Sequence, residues 1–277
     1  MDAPWLFVLG CIVLAATVID QLATILSSGS GGGFAVPRLY ATIWRLLGPA
    51  RRSGGRARWV PLVGPGLLLL GPVLWIASMW LGWSLVFLAD EGAVVASTDG
   101  TPADAPYRIY FAGFGVFTLG VGDVVPGGGP WALATVLAAA MGLGMVTLGI
   151  TYLVPVIQAA TSARRTARTL ARANGLLVGD EAERTAGVDL LWNAIDDLDE
   201  VAEQHRTYHV LRYFRPRPGN AALTDEVAEG LDRTRGAGTE SEPEHALTVR
   251  DTLIDLGRAI TGASGPVAQV TRALREG

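Results

Sequence analysis

At 277 residues, with half of them hydrophobic, 17% charged and a mean hydropathy of +0.35, the chain is too apolar for an ordinary soluble domain. The net charge of -4 is unevenly carried: the apolar runs fall in the first 157 residues and Asp, Glu and Arg crowd the rest, so a membrane half and an aqueous half are expected. The single cysteine, Cys11, sits inside an apolar run, which excludes a disulfide framework and thiol chemistry; no paired nucleophile and base, phosphate-binding loop or cofactor motif argues for an enzyme, and no nucleic-acid partner is expected.

Trp5 to Leu26 is apolar for 22 residues, long enough to cross a hydrocarbon core of about 30 Å. Asp20 interrupts its far end and is expected to reach the interface or cap the helix, with an arginine of the following loop as the alternative partner. Ser28 to Gly33 reads as a flexible linker. Pro37 to Leu47 then places Leu39, Tyr40, Ile43, Trp44 and Leu47 at helical spacing, which predicts an amphipathic helix on the inner leaflet or, alternatively, one packed on the soluble domain. Leu62 to Ala89 and Pro130 to Ala159 are the second and third spans, both uncharged. Arg38, Arg45, Arg51, Arg52, Arg56 and Arg58 make the loop after the first span cytoplasmic and a contact for anionic lipids. Arg164, Arg165, Arg168 and Arg172 do the same after the third span, while the connection between the second and third is acidic. The N-terminus is therefore expected outside the cell and the C-terminal region in the cytoplasm.

Between the second and third spans, Pro106 to Pro126 holds an apolar stretch of roughly 12 residues, about 18 Å of helix, too short to cross. It ends in Thr118-Leu119-Gly120-Val121-Gly122-Asp123. A backbone turn at membrane depth is tolerated only where protein or a water-filled path satisfies it, so a re-entrant short helix followed by a loop is expected. Gly120 and Gly122 accept left-handed backbone angles, which lets carbonyls from Thr118 to Val121 turn toward one axis. This hexapeptide resembles the T-V-G-Y-G-D selectivity filter of the potassium channel superfamily, and the order of outer helix, pore helix, filter and inner helix from Leu62 to Ala159 resembles the pore module of prokaryotic members. The resemblance implies potassium as the permeant ion, held through the carbonyls of Thr118, Leu119, Gly120 and Val121, with Gly122 and Asp123 at the outer mouth. Leu119 replaces the usual valine, and Val121 replaces a tyrosine whose hydroxyl would anchor the filter, which leaves weakly selective cation conduction as an alternative. One filter segment per chain supplies one wall of a pore, so a cyclic homotetramer follows.

The resembling channels bend their inner helix at a glycine; Gly142 or Gly144 is the matching position here, with close helix packing as the other reading. Thr151, Val154 and Ile157 follow toward the inner end, where they would narrow the path. A polar helical stretch to Ala173 is expected to continue this span, followed by helices over Asp189 to His209, Thr224 to Arg235, Glu244 to Ile260 and Pro266 to Arg275. Tyr208 to Phe214 stops at Arg215-Pro216-Arg217-Pro218, and Arg235 to Gly238 is a glycine-rich joint. His205 and His209, four apart, could present two metal ligands on one helix face, although ordinary histidines fit the pattern better. The expected fold is an all-α membrane protein: residues 1-61 with the first span and the arginine-rich segment, 62-159 as pore module, and 160-277 as a cytoplasmic helical bundle. A competing reading is a non-conducting sensor or scaffold in which a degenerate pore module anchors that bundle.

Overall fold

The computed structural model describes residues 3-26, 33-48, 60-214, 221-234, 243-263 and 267-276. The linker over 28-32, Arg51, Arg52, Arg56 and Arg58, the Arg215 to Pro218 run and the Arg235 to Gly238 joint lie outside the described residues. The protein is a mostly helical, multi-pass membrane protein with three helices long and apolar enough to span a bilayer. These are α1 (Pro4–Leu26), α3 (Val60–Leu88) and the outer part of α5 (Gly129–Leu176). At 48 residues, α5 is about 72 Å long, more than twice the hydrocarbon thickness, so its arginine-bearing end extends the apolar span into water. Pro155 lies inside this helix without ending it. Between α1 and α3 runs the short helix α2 (Val36–Leu46).

The described residues form two compact units. The first comprises 3-26, 33-38 and 68-153. Here α1 and α3 approach closely at Gly10 and Gly82: a Cβ on Gly10 would lie 2.7 Å from the Gly82 carbonyl oxygen, so only glycine permits the contact. Gln21 of α1 donates through Nε2 to the Met145 carbonyl of α5 at 3.0 Å. Asp20 departs from expectation. It is 2% exposed and, among the described residues, not paired with arginine: Oδ1 accepts the backbone N–H groups of Phe34 and Ala35 at 2.7 Å each, and Oδ2 accepts Trp75 Nε1 at 2.9 Å. Three N–H donors converge where the chain turns into α2, and they give the carboxylate its partners without a cation.

Between the C-terminal end of α3 and the N-terminal end of α5 lie a two-stranded antiparallel ribbon, β1 (Val94–Ala96) with β2 (Val124–Pro126), and the helix α4 (Ala105–Val116). Val94 pairs with Pro126 and Ala96 with Val124. The ribbon is the one departure from an all-helical chain among the described residues. Strands this short carry no detectable periodicity in sequence.

The second unit comprises 39-48, 60-67, 154-214 and the described residues beyond. The inner part of α5 packs with α6 (Glu181–Trp192), α7 (Ile195–Thr207), α8 (Leu223–Thr234), α9 (Pro243–Thr261) and α10 (Val267–Glu276) around Leu170, Leu191, Leu198, Leu231, Leu253 and Leu274. The single helix expected from Asp189 to His209 is two. Asp180 caps α6 by accepting the Glu183 N–H at 2.9 Å, α6 ends at Trp192, and Ala194, at φ -102 and ψ 7, turns the chain before α7. Leu191 of α6 and Leu198 of α7 both reach the core on either side of this break. Of the two readings of α2, its residues in this unit follow the packed one: the Tyr40 and Trp44 rings lie 6.2 and 5.1 Å from that of Tyr213.

Candidate functional site

The geometry around Thr118 to Asp123 begins with α4. Asp104 caps it by accepting the Tyr107 N–H at 3.3 Å, and Pro106 in its first turn gives up an amide the helix does not need. The apolar face is set by Phe111, which stacks edge-on against Phe87 of α3 at 5.1 Å. Gly113 admits Trp80, whose Nε1 donates to the Ile109 carbonyl at 3.0 Å. At the outer end of α3, the Arg108 guanidinium donates to the Leu88 carbonyl at 3.4 Å and the Asp90 carbonyl at 3.2 Å. It caps α3 as a cation suits a helix C-terminus, and so fixes α4 to α3.

The last carbonyls of α4 are closed by the loop itself: Phe117 N–H donates to Gly113, Thr118 N–H to Gly115 and Leu119 N–H to Phe114, at 2.8 to 3.1 Å. From there the backbone changes character. Thr118 (φ 55), Gly120 (φ 66) and Gly122 (φ 84) are left-handed, and Leu119 and Val121 between them are not. In a strand, successive carbonyls point to opposite sides; reversing handedness at every second residue brings them to the same side. For β-branched Thr118 a positive φ is a true outlier, costing about 1–2 kcal/mol, and such strain gathers at functional sites. Among the described residues, the carbonyls of Thr118, Leu119, Gly120, Val121 and Gly122 accept no hydrogen bond.

The far end of the loop is anchored by a residue that no sequence pattern singles out. Ser97, just past β1, donates both its N–H (3.1 Å) and its Oγ–H (3.0 Å) to the Asp123 carbonyl. Ser97 and the ribbon thus hold the loop where Val121 lacks an anchoring ring. The loop's own side chains are unpacked: Leu119 is 64% and Val121 60% exposed.

The two inner-helix glycines differ. A Cβ on Gly142 would lie 2.1 Å from the Val116 carbonyl oxygen at the end of α4, so Gly142 is a close contact between α5 and the helix that carries the loop. Gly144 has no neighbour within 4 Å of its Cβ position. Gly142→Ala is therefore expected to lower stability by about 1–3 kcal/mol through overpacking. Gly144→Ala should leave stability unchanged or slightly raised, since alanine favours helix by about 1 kcal/mol. Melting of the two variants in detergent, followed by tryptophan fluorescence, checks the contrast.

His205 and His209 do not share a helix face, because α7 ends at Thr207 and His209 opens a short 3-10 segment, His209–Tyr213. Among the described residues no group of three His, Cys, Asp or Glu side chains is arranged to hold a metal ion.

No protein-family model matches the chain, and no solved structure does. The chain is similar to the uncharacterized membrane protein YdjJ of Bacillus subtilis (strain 168), with 33% identity over 218 residues, or 74% of this chain and 61% of that protein. It thus spans less than two thirds of that relative's length, and the likeness agrees with the three apolar helices in making this a membrane protein.

Proposed function

We propose that the chain is one subunit of a passive, potassium-preferring cation channel of the potassium channel superfamily type, assembled as a homotetramer. The observation that carries this reading is the loop after α4, where left-handed angles alternate at 118, 120 and 122 and five successive carbonyls accept no hydrogen bond. Unpaired carbonyls are costly in a membrane unless something replaces water around them, and a dehydrated cation does so. The exposed Leu119 and Val121 side chains favour a loop completed by other copies, because a single chain leaves them without packing. In this reading α4 is the re-entrant pore helix, α3 the outer and α5 the inner helix. The N-terminus is outside, and the second unit is a cytoplasmic bundle, as the arginine distribution requires. Cations collect at the acidic outer mouth, where four copies of Asp123 focus the field. They shed water onto the carbonyls of residues 118 to 121 and pass in file toward the cytoplasm.

Flux from proteoliposomes under opposed potassium and sodium gradients tests it. A reversal potential near the potassium value supports the proposal; one near zero with flux replaces it by a weakly selective pore. A protein that stays monomeric in mild detergent and carries no flux would return the non-conducting sensor.

A further inference from the structure

The second unit encloses a cavity of about 320 Å³, within the size range of small-molecule sites. Its apolar walls are the rings of Trp44, Tyr213 and Phe214 and the side chain of Ile260. Four polar residues complete the lining: His205, Arg212, Thr224 and Thr261. The threonines are occupied. Thr261 Oγ1 donates to the Gly257 carbonyl at 2.8 Å and accepts the Ala263 N–H at 3.2 Å, while Thr224 Oγ1 faces Asp225 Oδ1 at 3.5 Å.

His205 is different. It is 5% exposed, and its Nδ1 lies 2.8 Å from the Val201 carbonyl. A carbonyl oxygen can only accept, so Nδ1 carries the hydrogen, and in a neutral ring Nε2 is left as a lone-pair acceptor. Burial, and then the nearby Arg212 charge, push the His205 pKa below the usual histidine value against the Val201 bond, which raises it; the ring stays neutral near pH 7. Among the described residues Nε2 makes no hydrogen bond and is not itself fully buried, so this acceptor opens on the cavity from a side chain more than nine-tenths buried.

Arg212 is exposed and, among the described residues, makes no hydrogen bond or ion pair. Arg206, Arg233 and Arg275 of the same unit are instead paired with Asp255, Glu229 and Asp232. Beside its guanidinium stands Gly262 at φ 72, where a Cβ would lie 3.4 Å from Nη2; the missing side chain leaves that side open.

We infer that this cavity binds a small organic acid, with its anion on Arg212, a flat apolar body against the wall formed by the Trp44, Tyr213 and Phe214 rings, and a hydroxyl or N–H group donating to His205 Nε2. A cation, a fork of donors and aromatic walls select a carboxylate or phosphate over a neutral molecule, and the neutral imidazole selects a donor at the other contact. His205, Leu211, Phe214 and Leu223 also line a smaller cavity together with Ala163 and Arg164 of α5. Occupancy therefore bears on the inner part of α5. If that helix lines an ion path, the acid regulates flux, a consequence that rests on the channel reading while the binding does not.

The test uses the full chain in nanodiscs, with para-hydroxyphenylacetate, indoleacetate and para-hydroxyphenyl phosphate as probes, read by titration calorimetry. Saturable binding of one probe per chain is expected for at least one acid. Loss of one charge-assisted contact should weaken binding about tenfold. Thus para-hydroxyphenylacetamide, without the charge, and para-methylphenylacetate, without the donor, each bind about tenfold more weakly. Arg212→Gln weakens the acid to the level of the amide and leaves the amide unchanged. His205→Phe removes the preference for hydroxyl over methyl; should it fail to fold, the two probes compared on the native chain read the same contact. No saturable binding of any of the three acids, or binding undiminished in Arg212→Gln, overturns the site. Binding without any change in potassium flux overturns only its regulatory consequence.

Discussion

Gly120→Ala is expected to abolish cation flux while leaving the protein folded in the membrane. Gly120 holds φ 66, and no atom lies within 4 Å of where its Cβ would be. Within one chain, therefore, the effect comes from the backbone angle and not from a clash with a neighbouring side chain. A left-handed angle costs an L-residue about 1–2 kcal/mol, and a ring of four chains incurs that cost four times. The cheap relief is a flip of the peptide to negative φ, which swings a carbonyl out of the row formed from Thr118 to Gly122 and breaks the alternation with Thr118 and Gly122. About 3 kcal/mol added to the barrier for ion passage slows it roughly 100-fold, less than the summed strain, so flux in proteoliposomes should fall below detection. Because α4, the ribbon and the Ser97 anchor do not depend on residue 120, melting temperature and oligomer size should match the native chain. D-alanine at the same position, introduced by semisynthesis, has the mirror-image preference and should restore flux. An L-alanine variant that conducts normally would remove residues 118 to 122 from the ion path.

The elements most legible in sequence were those set by solvent. The three spans follow from apolar length alone, and the extension of α5 past Pro155 follows from the polar helical pattern through Ala173. The loop after α4 was legible because glycine is the residue that chemistry demands for left-handed backbone; that Thr118 joins the alternation was not, since threonine carries no such preference. What sequence concealed is long-range and small. Ser97 meets the Asp123 carbonyl across 26 residues, and strands of three residues leave no period to read. The break at Asn193–Ala194 was hidden because apolar residues at Leu190, Leu191, Ile195 and Leu198 keep helical spacing straight through it. His205 looked like half of a metal pair until the end of α7 at Thr207 separated it from His209. Gly142 and Gly144 were equivalent in sequence; only the position of the Val116 carbonyl distinguishes them.

Asp20→Ala is expected to destabilise the protein by about 3 kcal/mol or more. A carboxylate in an apolar span normally needs a cation, and among the described residues Asp20 has none; its charge is met by the Phe34 and Ala35 amides at the start of α2, where the helix dipole is positive, and by the Trp75 indole. Removing it leaves the buried Trp75 Nε1–H and two part-buried backbone N–H groups unmet, each costing about 1–3 kcal/mol where water does not reach it. It also releases the only described side-chain tie between α1 and the residues that open α2. Asp20→Asn keeps the shape but turns one acceptor oxygen into a donor, which must then face either Trp75 Nε1–H or the two amides, so it should recover little of the loss. Trp75→Phe removes one of the three bonds and should cost less than Asp20→Ala. The double variant should cost less than the sum of the two, since the Trp75 contact can be lost only once. Melting in detergent supplies all four numbers, and red-shifted Trp75 emission in Asp20→Ala would report the indole released from its acceptor. Equal melting temperatures for Asp20→Ala and the native chain would mean that α1 and the start of α2 are held together without this carboxylate.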